Sequence, residues 1–168
     1  MSTKRIVGIA SVEIGHYNAT SYAMPSTFTK ISNLVLDSVR IIRETPEPAQ
    51  IFTEDSDVVD VEIAQSANWS FEFATYDMMN TLFGLLVGGT VSGATVWKAP
   101  TTATTTVEKS IQFTSKSYGG KAHVFKIPHA SIRAGGELRF SKSTPGQLTI
   151  SGTVLSAGAN PPITKTYA

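Results

Sequence analysis

Residues 57–89 read DVVDVEIAQSANWSFEFATYDMMNTLFGLLVGG, and this stretch decides the fold. In its first half, apolar and polar residues alternate over Asp57–Ala64 and again over Trp69–Phe73. A period of two is typical of strands that bury one face. In its second half, apolar residues recur every three or four positions from Met78 to Leu86, which predicts an amphipathic helix.

The helix is placed at about residues 76–87, because Gly88-Gly89 follows it and glycine takes the left-handed conformation that ends helices. The rest of the chain shows short alternating runs and no second convincing helix. The sequence therefore predicts a mostly β fold. One packed α-helix, a long loop and extended terminal arms would accompany the strands.

One domain with three parts is predicted along the 168 residues. Residues 1–30 are expected to form an N-terminal arm with at most one short strand. Residues 31–156 would form the β-rich core, and residues 157–168 a C-terminal tail that is loose in an isolated monomer. Within the core, Ile31–Arg43 is predicted to be a strand with a bulge at Asp37-Ser38, where the alternation slips.

The segment Glu44–Ser56 is predicted to be a long loop. Pro46 and Pro48 lack the N–H group that a central strand needs, and loops of this length are usually functional or disordered. Ile51-Phe52 lies in the middle of the segment, where an apolar pair is costly to expose unless a partner covers it.

Composition limits the functions that the chain can have. A net charge of +1 gives no bulk basicity for nucleic-acid binding, and the absence of cysteine excludes disulfides and thiolate sites. No apolar run approaches the ~20 residues needed to cross a bilayer, so no membrane span is expected. Only 16% of the residues are charged, which suits either a subunit hidden against its own copies or a Thr/Ser-rich domain with a neutral polar surface.

The two signs of charge occupy different parts of the chain. Glu44–Glu62 holds seven of the 13 acidic residues and no Lys or Arg, whereas Lys98–Lys142 holds eight basic residues and two acidic ones. This separation favours head-to-tail contacts between identical copies, which close into rings or extend into filaments. An acidic loop beside a basic sheet face within one monomer would give the same pattern.

Catalytic and cofactor motifs are missing from the sequence. His16, His123 and His129 have neither an HExxH motif nor another zinc-ligand spacing, and are expected to be surface or interface histidines. No GxSxG motif frames a serine, and the glycines near the helix fit neither a dinucleotide loop nor a phosphate loop. We therefore expect no enzymatic activity, no cofactor and no metal.

The aromatic and methionine residues of residues 57–89 are assigned to the core. Trp69, Phe71 and Phe73 share one strand face, which is more typical of a core than of a sugar- or base-stacking surface. Met78-Met79 on the helix is assigned in the same way. A β-rich domain without a catalytic constellation indicates a structural building block.

A longer order of features covers roughly residues 31 to 156. It runs through Leu34–Arg43, ETPEPA at 44–49, Asp57–Ile63, Trp69–Phe73, Asp77–Gly89 with LFG at 82–84, VWKAP at 96–100, Phe125–Ile132, Gly136–Phe140 and Leu148–Leu155. In this order the chain resembles the phage tail tube proteins, the major tail protein family, which is related to the tubes of contractile injection systems.

The resemblance implies that residues 31–156 form a β-sandwich or half-barrel of two packed sheets with one flanking α-helix. It also implies a structural subunit that assembles into stacked hexameric rings, whose lumen conducts double-stranded DNA during ejection without sequence-specific binding. The implied location is the virion tail, after synthesis in the bacterial host cytoplasm. The implied partners are further copies of the chain, the tail terminator, baseplate or tip proteins, and tape-measure or sheath proteins.

By position in the family, Glu44–Ser56 and the two terminal arms would grip neighbouring subunits and rings. Either the strand Asp57–Glu62 would line the lumen through Asp60 and Glu62, or these acidic residues would serve ring stacking instead. The implied ring and stacking contacts are Glu44, Glu47, Ile51, Phe52, Glu54, Asp55 and Asp57.

Two alternatives remain open at the level of sequence. A carbohydrate-binding or adhesin-like β-sandwich would use Trp97 and tyrosines as stacking platforms and would be a monomer. A single-stranded nucleic-acid binder would need a basic groove with interleaved aromatics, for which the chain offers only Lys116, Tyr118 and Lys121.

Overall fold

The computed structural model describes residues 6–52, 59–63, 67–102, 107–143 and 145–167. These residues form twelve strands, one α-helix and a 3₁₀ turn at Gly93–Thr95. The elements are β1 (Val7–Gly15), β2 (Thr29–Ile31), β3 (Arg40–Glu44), β4 (Ala49–Phe52), β5 (Val59–Ile63), β6 (Asn68–Thr75), α1 (Asn80–Leu86), β7 (Thr90–Ser92), β8 (Val96–Lys98), β9 (Val107–Lys116), β10 (His123–Phe140), β11 (Pro145–Val154) and β12 (Thr164–Tyr167).

Eight antiparallel strands form the main sheet, in the order β2-β1-β9-β10-β11-β6-β3, with β12 paired to β10. The long strand β10 organises this sheet. One of its edges pairs with β9, and the other pairs first with β12 and then, from Ala130 onward, with β11. Two small antiparallel pairs, β4–β5 and β7–β8, lie outside the main sheet.

A bulge at Pro128-His129 bends β10 where it changes partner. The pairing with β9 shifts register between Ile127 and Ala130, because proline has no N–H to give to a ladder. The Ser110 hydroxyl donates a hydrogen bond of 2.6 Å to the Pro128 carbonyl and fixes the bend. The bend separates the part of β10 that pairs with β12 from the part that pairs with β11.

The main sheet curls until its two halves face each other across one core. β9 and β6 are three strands apart in the sheet order, which is roughly 14 Å in a flat sheet. Yet the rings of Phe71 on β6 and Phe113 on β9 are only 5.5 Å apart and meet edge to face. The predicted fold class, a mostly β sandwich or half-barrel with one flanking helix, is therefore confirmed.

The closest packing in this core occurs at a glycine. Gly152 on β11 pairs directly with Phe71 on β6, and the Phe71 ring lies where a side chain at Gly152 would be. A Cβ atom at residue 152 would lie 2.7 and 2.8 Å from two carbons of that ring. Phe71 is fully buried, so the ring has no space into which it could retreat.

Helix α1 covers the core with Leu82 and Leu86, both fully buried. It starts at Asn80, later than the predicted residue 76, because the Asp77 carboxylate accepts the Met79 N–H at 3.1 Å and holds the preceding residues in a turn. Met78 packs against the core, but Met79 is half exposed, so its assignment to the core was wrong. The helix ends as predicted at Gly88, with a φ of 86°.

The first and last strands of the described residues belong to the main sheet, so the predicted N-terminal arm and loose C-terminal tail were wrong. Strand β1 lies between β2 and β9, and it buries Val12 and Ile14 completely. Strand β12 pairs with residues 123–126 of β10. These pairings connect distant parts of the chain, and local sequence patterns contain no information about which partner a strand will find.

The predicted strand Ile31–Arg43 is two strands separated by a turning segment. Asn33 and Asp37 have φ values of 49° and 56°, and these are residue types that tolerate the left-handed region. The residues between β2 and β3 cross from one end of the sheet to the other. They pair with the end of β6 as they do so, through the Val35 N–H and the Ala74 carbonyl at 2.8 Å.

The predicted loop Glu44–Ser56 also contains a strand. Ala49–Phe52 forms β4 and pairs with β5, which is compatible with Pro46 and Pro48 because both prolines precede the strand. The loop prediction was wrong for these four residues. The prolines were correctly placed outside the main sheet.

Gly152→Ala should lower the free energy of unfolding by about 1–3 kcal/mol, the usual cost of overpacking a closed core. Urea denaturation followed by circular dichroism measures the change. The matched control is Gly135→Ala on the neighbouring strand β10, where a Cβ would meet nothing within 4 Å. Equal stability of the two variants would contradict the packing that we describe.

Candidate interaction surfaces

The hairpin β4–β5 is the first candidate interaction surface. It extends from the end of the β3–β6 pair, whose last partners are Glu44 and Asn68. Among the described residues β4 and β5 pair with each other and not with the main sheet. An isolated two-stranded ribbon is marginally stable in water. The hairpin would therefore be stabilised if another surface packed against it.

The register of the hairpin separates residue types. Ala49 is opposite Ile63 and Ile51 is opposite Val61, whereas Gln50 is opposite Glu62. Residues directly opposite in an antiparallel pair share one face of the ribbon. One face therefore carries apolar residue types at these two pairs. The other face carries Gln50 and Glu62 and, beyond a register shift after Ile51, the pair of Phe52 with Val59.

The predicted interface residues are distributed over this region. Glu44 ends β3 and Glu47 lies between β3 and β4, and both are exposed. Ile51 and Phe52 lie on β4, and Asp60 and Glu62 lie on β5. Glu54, Asp55 and Asp57 lie outside the described residues. The lumen-facing role of Asp60 and Glu62 stays a prediction.

An apolar cleft is the second candidate interaction surface. It has a volume of about 880 Å³ and lies at the gap in the curled sheet, between the first half of β1 on one side and β3 on the other. Partly buried side chains that also contact the core form its floor, notably Ile9, Leu34, Val39 and Phe125. Leu36 at its rim is 87% exposed and extends the apolar surface of the floor, and contiguous apolar surface of this kind suits a partner.

Three basic residues and one acidic residue line this cleft: Lys30, Arg40, Lys116 and Asp37. Arg40 forms an exposed ion pair of 2.9 Å with Glu72. Neither lysine has a carboxylate within ion-pair distance in the described part of the chain. Sequence analysis did not identify this cleft, because its walls come from segments that are far apart in the chain.

His123 is buried, which corrects the expectation of a surface histidine. It is 3% exposed, and neither ring nitrogen has a hydrogen-bond partner among the described residues. Its ring packs at 4.6 Å from that of Tyr167 on β12. The histidine therefore acts as an apolar contact between β10 and the C-terminal strand.

His129 joins three segments at the bulge of β10. One ring nitrogen lies 2.8 Å from the Ser156 carbonyl, and the other lies 3.3 Å from the Glu108 carboxylate. The ring stacks on Tyr17 at 4.5 Å. Hydrogen bonds from Tyr17 and from His129 hold the pKa of Glu108 below its ordinary value of 4.5. The hydrogen bond to Glu108 also raises the pKa of Tyr17 above 10.0.

His16 lies near a buried lysine. Its ring nitrogen is 3.4 Å from the Lys109 ammonium group, and burial lowers the pKa of Lys109 below its ordinary 10.5. In the described ranges, no group of three or more His, Cys, Asp or Glu residues could hold a metal ion. None of the helices in these ranges is long and apolar enough to cross a membrane.

Trp97 is held in place by the helix end. Its indole N–H donates a hydrogen bond of 2.9 Å to the Gly88 carbonyl, and its ring packs 5.1 Å from Phe83. The side chain is partly buried in this contact. A sugar-stacking platform needs an open aromatic face, so this arrangement disfavours the carbohydrate-binding alternative.

Comparisons with known proteins assign no family to the chain. No protein-family model matches it, and no curated protein is significantly similar to it.

Glu108→Gln should destabilise the fold at neutral pH and weaken its sensitivity to acid. The folded-state pKa of Glu108 is lowered, so its carboxylate stabilises the fold fully above about pH 4.5, and this stabilisation is lost as the pH falls through the folded-state pKa. Urea denaturation at several pH values measures the effect. Glu47→Gln, at an exposed position, controls for the loss of one negative charge. An unchanged pH profile in Glu108→Gln would contradict this role.

Proposed function

We propose that this protein is a structural subunit that assembles with its own copies, and specifically a subunit of a phage tail tube. The observation that carries the proposal is the β4–β5 hairpin, a ribbon that leaves the main sheet and pairs with none of its strands in the described part of the monomer. A second copy would supply the surface that a two-stranded ribbon lacks.

The fold supports this proposal. A curled antiparallel sheet with one helix provides a broad, rigid surface that can be repeated around a ring, as the tail tube resemblance implies. The proposed assembly is a stack of hexameric rings whose lumen conducts double-stranded DNA. Low charge and the separation of acidic from basic segments fit head-to-tail contacts between copies. In this role the chain would be a virion component with no catalytic activity.

The proposed neighbours follow from the same role. Copies of the chain would form the rings and the stack, the tail terminator and baseplate or tip proteins would bind the ends of the tube, and tape-measure or sheath proteins would contact its inner or outer surface. The DNA in the lumen would slide past without sequence-specific contacts.

The joint substitution Ile51→Ser and Phe52→Ser should prevent assembly and spare the monomer fold. Burial of each residue against a neighbour would contribute about 1.5–3 kcal/mol, and every copy in a ring would lose that contribution together. Light scattering after size exclusion and negative-stain microscopy measure assembly, and circular dichroism measures the fold.

The matched control is Met79→Ser with Val96→Ser, because these two apolar residues are exposed and lie near the helix, away from the hairpin. This control should assemble like the unmodified protein. The proposal fails if the unmodified protein stays monomeric at every concentration, or if the Ile51 and Phe52 variant still forms tubes at the usual concentration.

A further inference from the structure

Two open strand edges bound the cleft. β1 pairs with β9 along one side, but on its other side β2 reaches only Val12–Ile14. The first half of β1 therefore has a free edge within the described residues. β3 pairs with β6 and ends the sheet order on the opposite side. Free edges of this kind accept an additional strand from a partner, with backbone hydrogen bonds for affinity.

The size, apolar floor and charged rim of the cleft limit what can bind in it. Its floor is apolar, and its volume of about 880 Å³ falls in the range of ~300–1,000 Å³ that holds compact ligands. A short extended segment fits such a space, whereas a whole domain does not. The exposed ammonium groups of Lys30 and Lys116 at the rim favour a segment that carries carboxylates.

The hairpin β4–β5 has the matching properties. Its strands are four and five residues long. The register gives it one face of apolar residue types. Glu47, Asp60 and Glu62 supply negative charge, and no Lys or Arg lies between Glu44 and Glu62.

We infer that the cleft between β1 and β3 is the acceptor site for the β4–β5 hairpin of a second copy of this chain. Apolar residues of the hairpin cover the floor, and its acidic residues lie near Lys30 and Lys116. Because donor and acceptor are different surfaces of one chain, the contact is heterologous and propagates from copy to copy. The inference rests on the proposed function, since it names the surface through which self-assembly occurs.

Cross-linking tests the placement directly, because the chain contains no cysteine of its own. The double variant Leu36→Cys with Val61→Cys carries one thiol at the cleft rim and one on the hairpin. A short bis-maleimide reagent should give a ladder of dimers, trimers and longer species in denaturing gels. The exposure of Leu36 makes its substitution harmless to the fold.

The control variant is Val96→Cys with Val61→Cys. Val96 is also exposed but does not line the cleft. This variant should give no ladder, and neither should the single variant Val61→Cys. An equally strong ladder in the Val96 variant would show that cross-linking does not depend on docking in the cleft. That result would overturn the inference.

Charge reversal tests the electrostatic part. Lys30→Glu with Lys116→Glu should raise the protein concentration needed for assembly by about tenfold or more, since like charges would then face each other. Asp60→Lys with Glu62→Lys should do the same. A mixture of the two variants should recover assembly in part, because the reversed cleft of one then meets the reversed hairpin of the other.

The outcomes separate the inference from the proposed function. If the unmodified protein assembles but the Leu36 and Val61 variant forms no ladder, the cleft is not the acceptor, although self-assembly stands. Unchanged assembly of the Lys30 and Lys116 variant has the same meaning. If the unmodified protein stays monomeric in light scattering at every concentration, both the proposed function and the inference fail.

Discussion

The contact between Phe71 and Phe113 across the core is the constraint on which the rest of the structure depends. These rings belong to strands that are three positions apart in the sheet, and they meet because the sheet curls. Gly152 allows the curl to close, since any side chain at that position would occupy the space of the Phe71 ring. The curl in turn leaves a gap between β1 and β3, and this gap is the cleft. A packing requirement of the core thus determines where the open surface of the molecule lies.

Strands with a clear alternation of apolar and polar residues could be predicted from the sequence. Phe71 and Phe73 proved to be buried, as their alternation predicted. The first strand was expected only as one short strand within an arm, and the last strand was not predicted, although Val12 and Ile14 do alternate with Glu13. Whether such a short run becomes a strand depends on a partner elsewhere in the chain, here β9 and β10. That information is tertiary and is absent from a local pattern.

The two candidate surfaces differ in the same respect. The segment that projects from the main sheet could be located from sequence, because its prolines, acidic residues and apolar pair are close together in the chain, but its strand β4 was predicted as loop. The cleft could not be located, because Ile9, Lys30, Arg40 and Lys116 converge only after the sheet has formed. A local segment of unusual composition can be recognised from sequence. A concave surface that is assembled from four separate segments cannot.

The junction between the hairpin and the sheet has a consequence for the evolution of the molecule. β3 and β6 pair with each other up to Glu44 and Asn68, so the stem is complete before the hairpin begins. The residues between these two positions can therefore change in length and composition without disturbing the core. Lineages that share this scaffold can vary this segment at the junction, much as antibodies vary their loops on a constant framework. Similarity between such lineages would then persist in the scaffold and be lost first in the segment between Glu44 and Asn68.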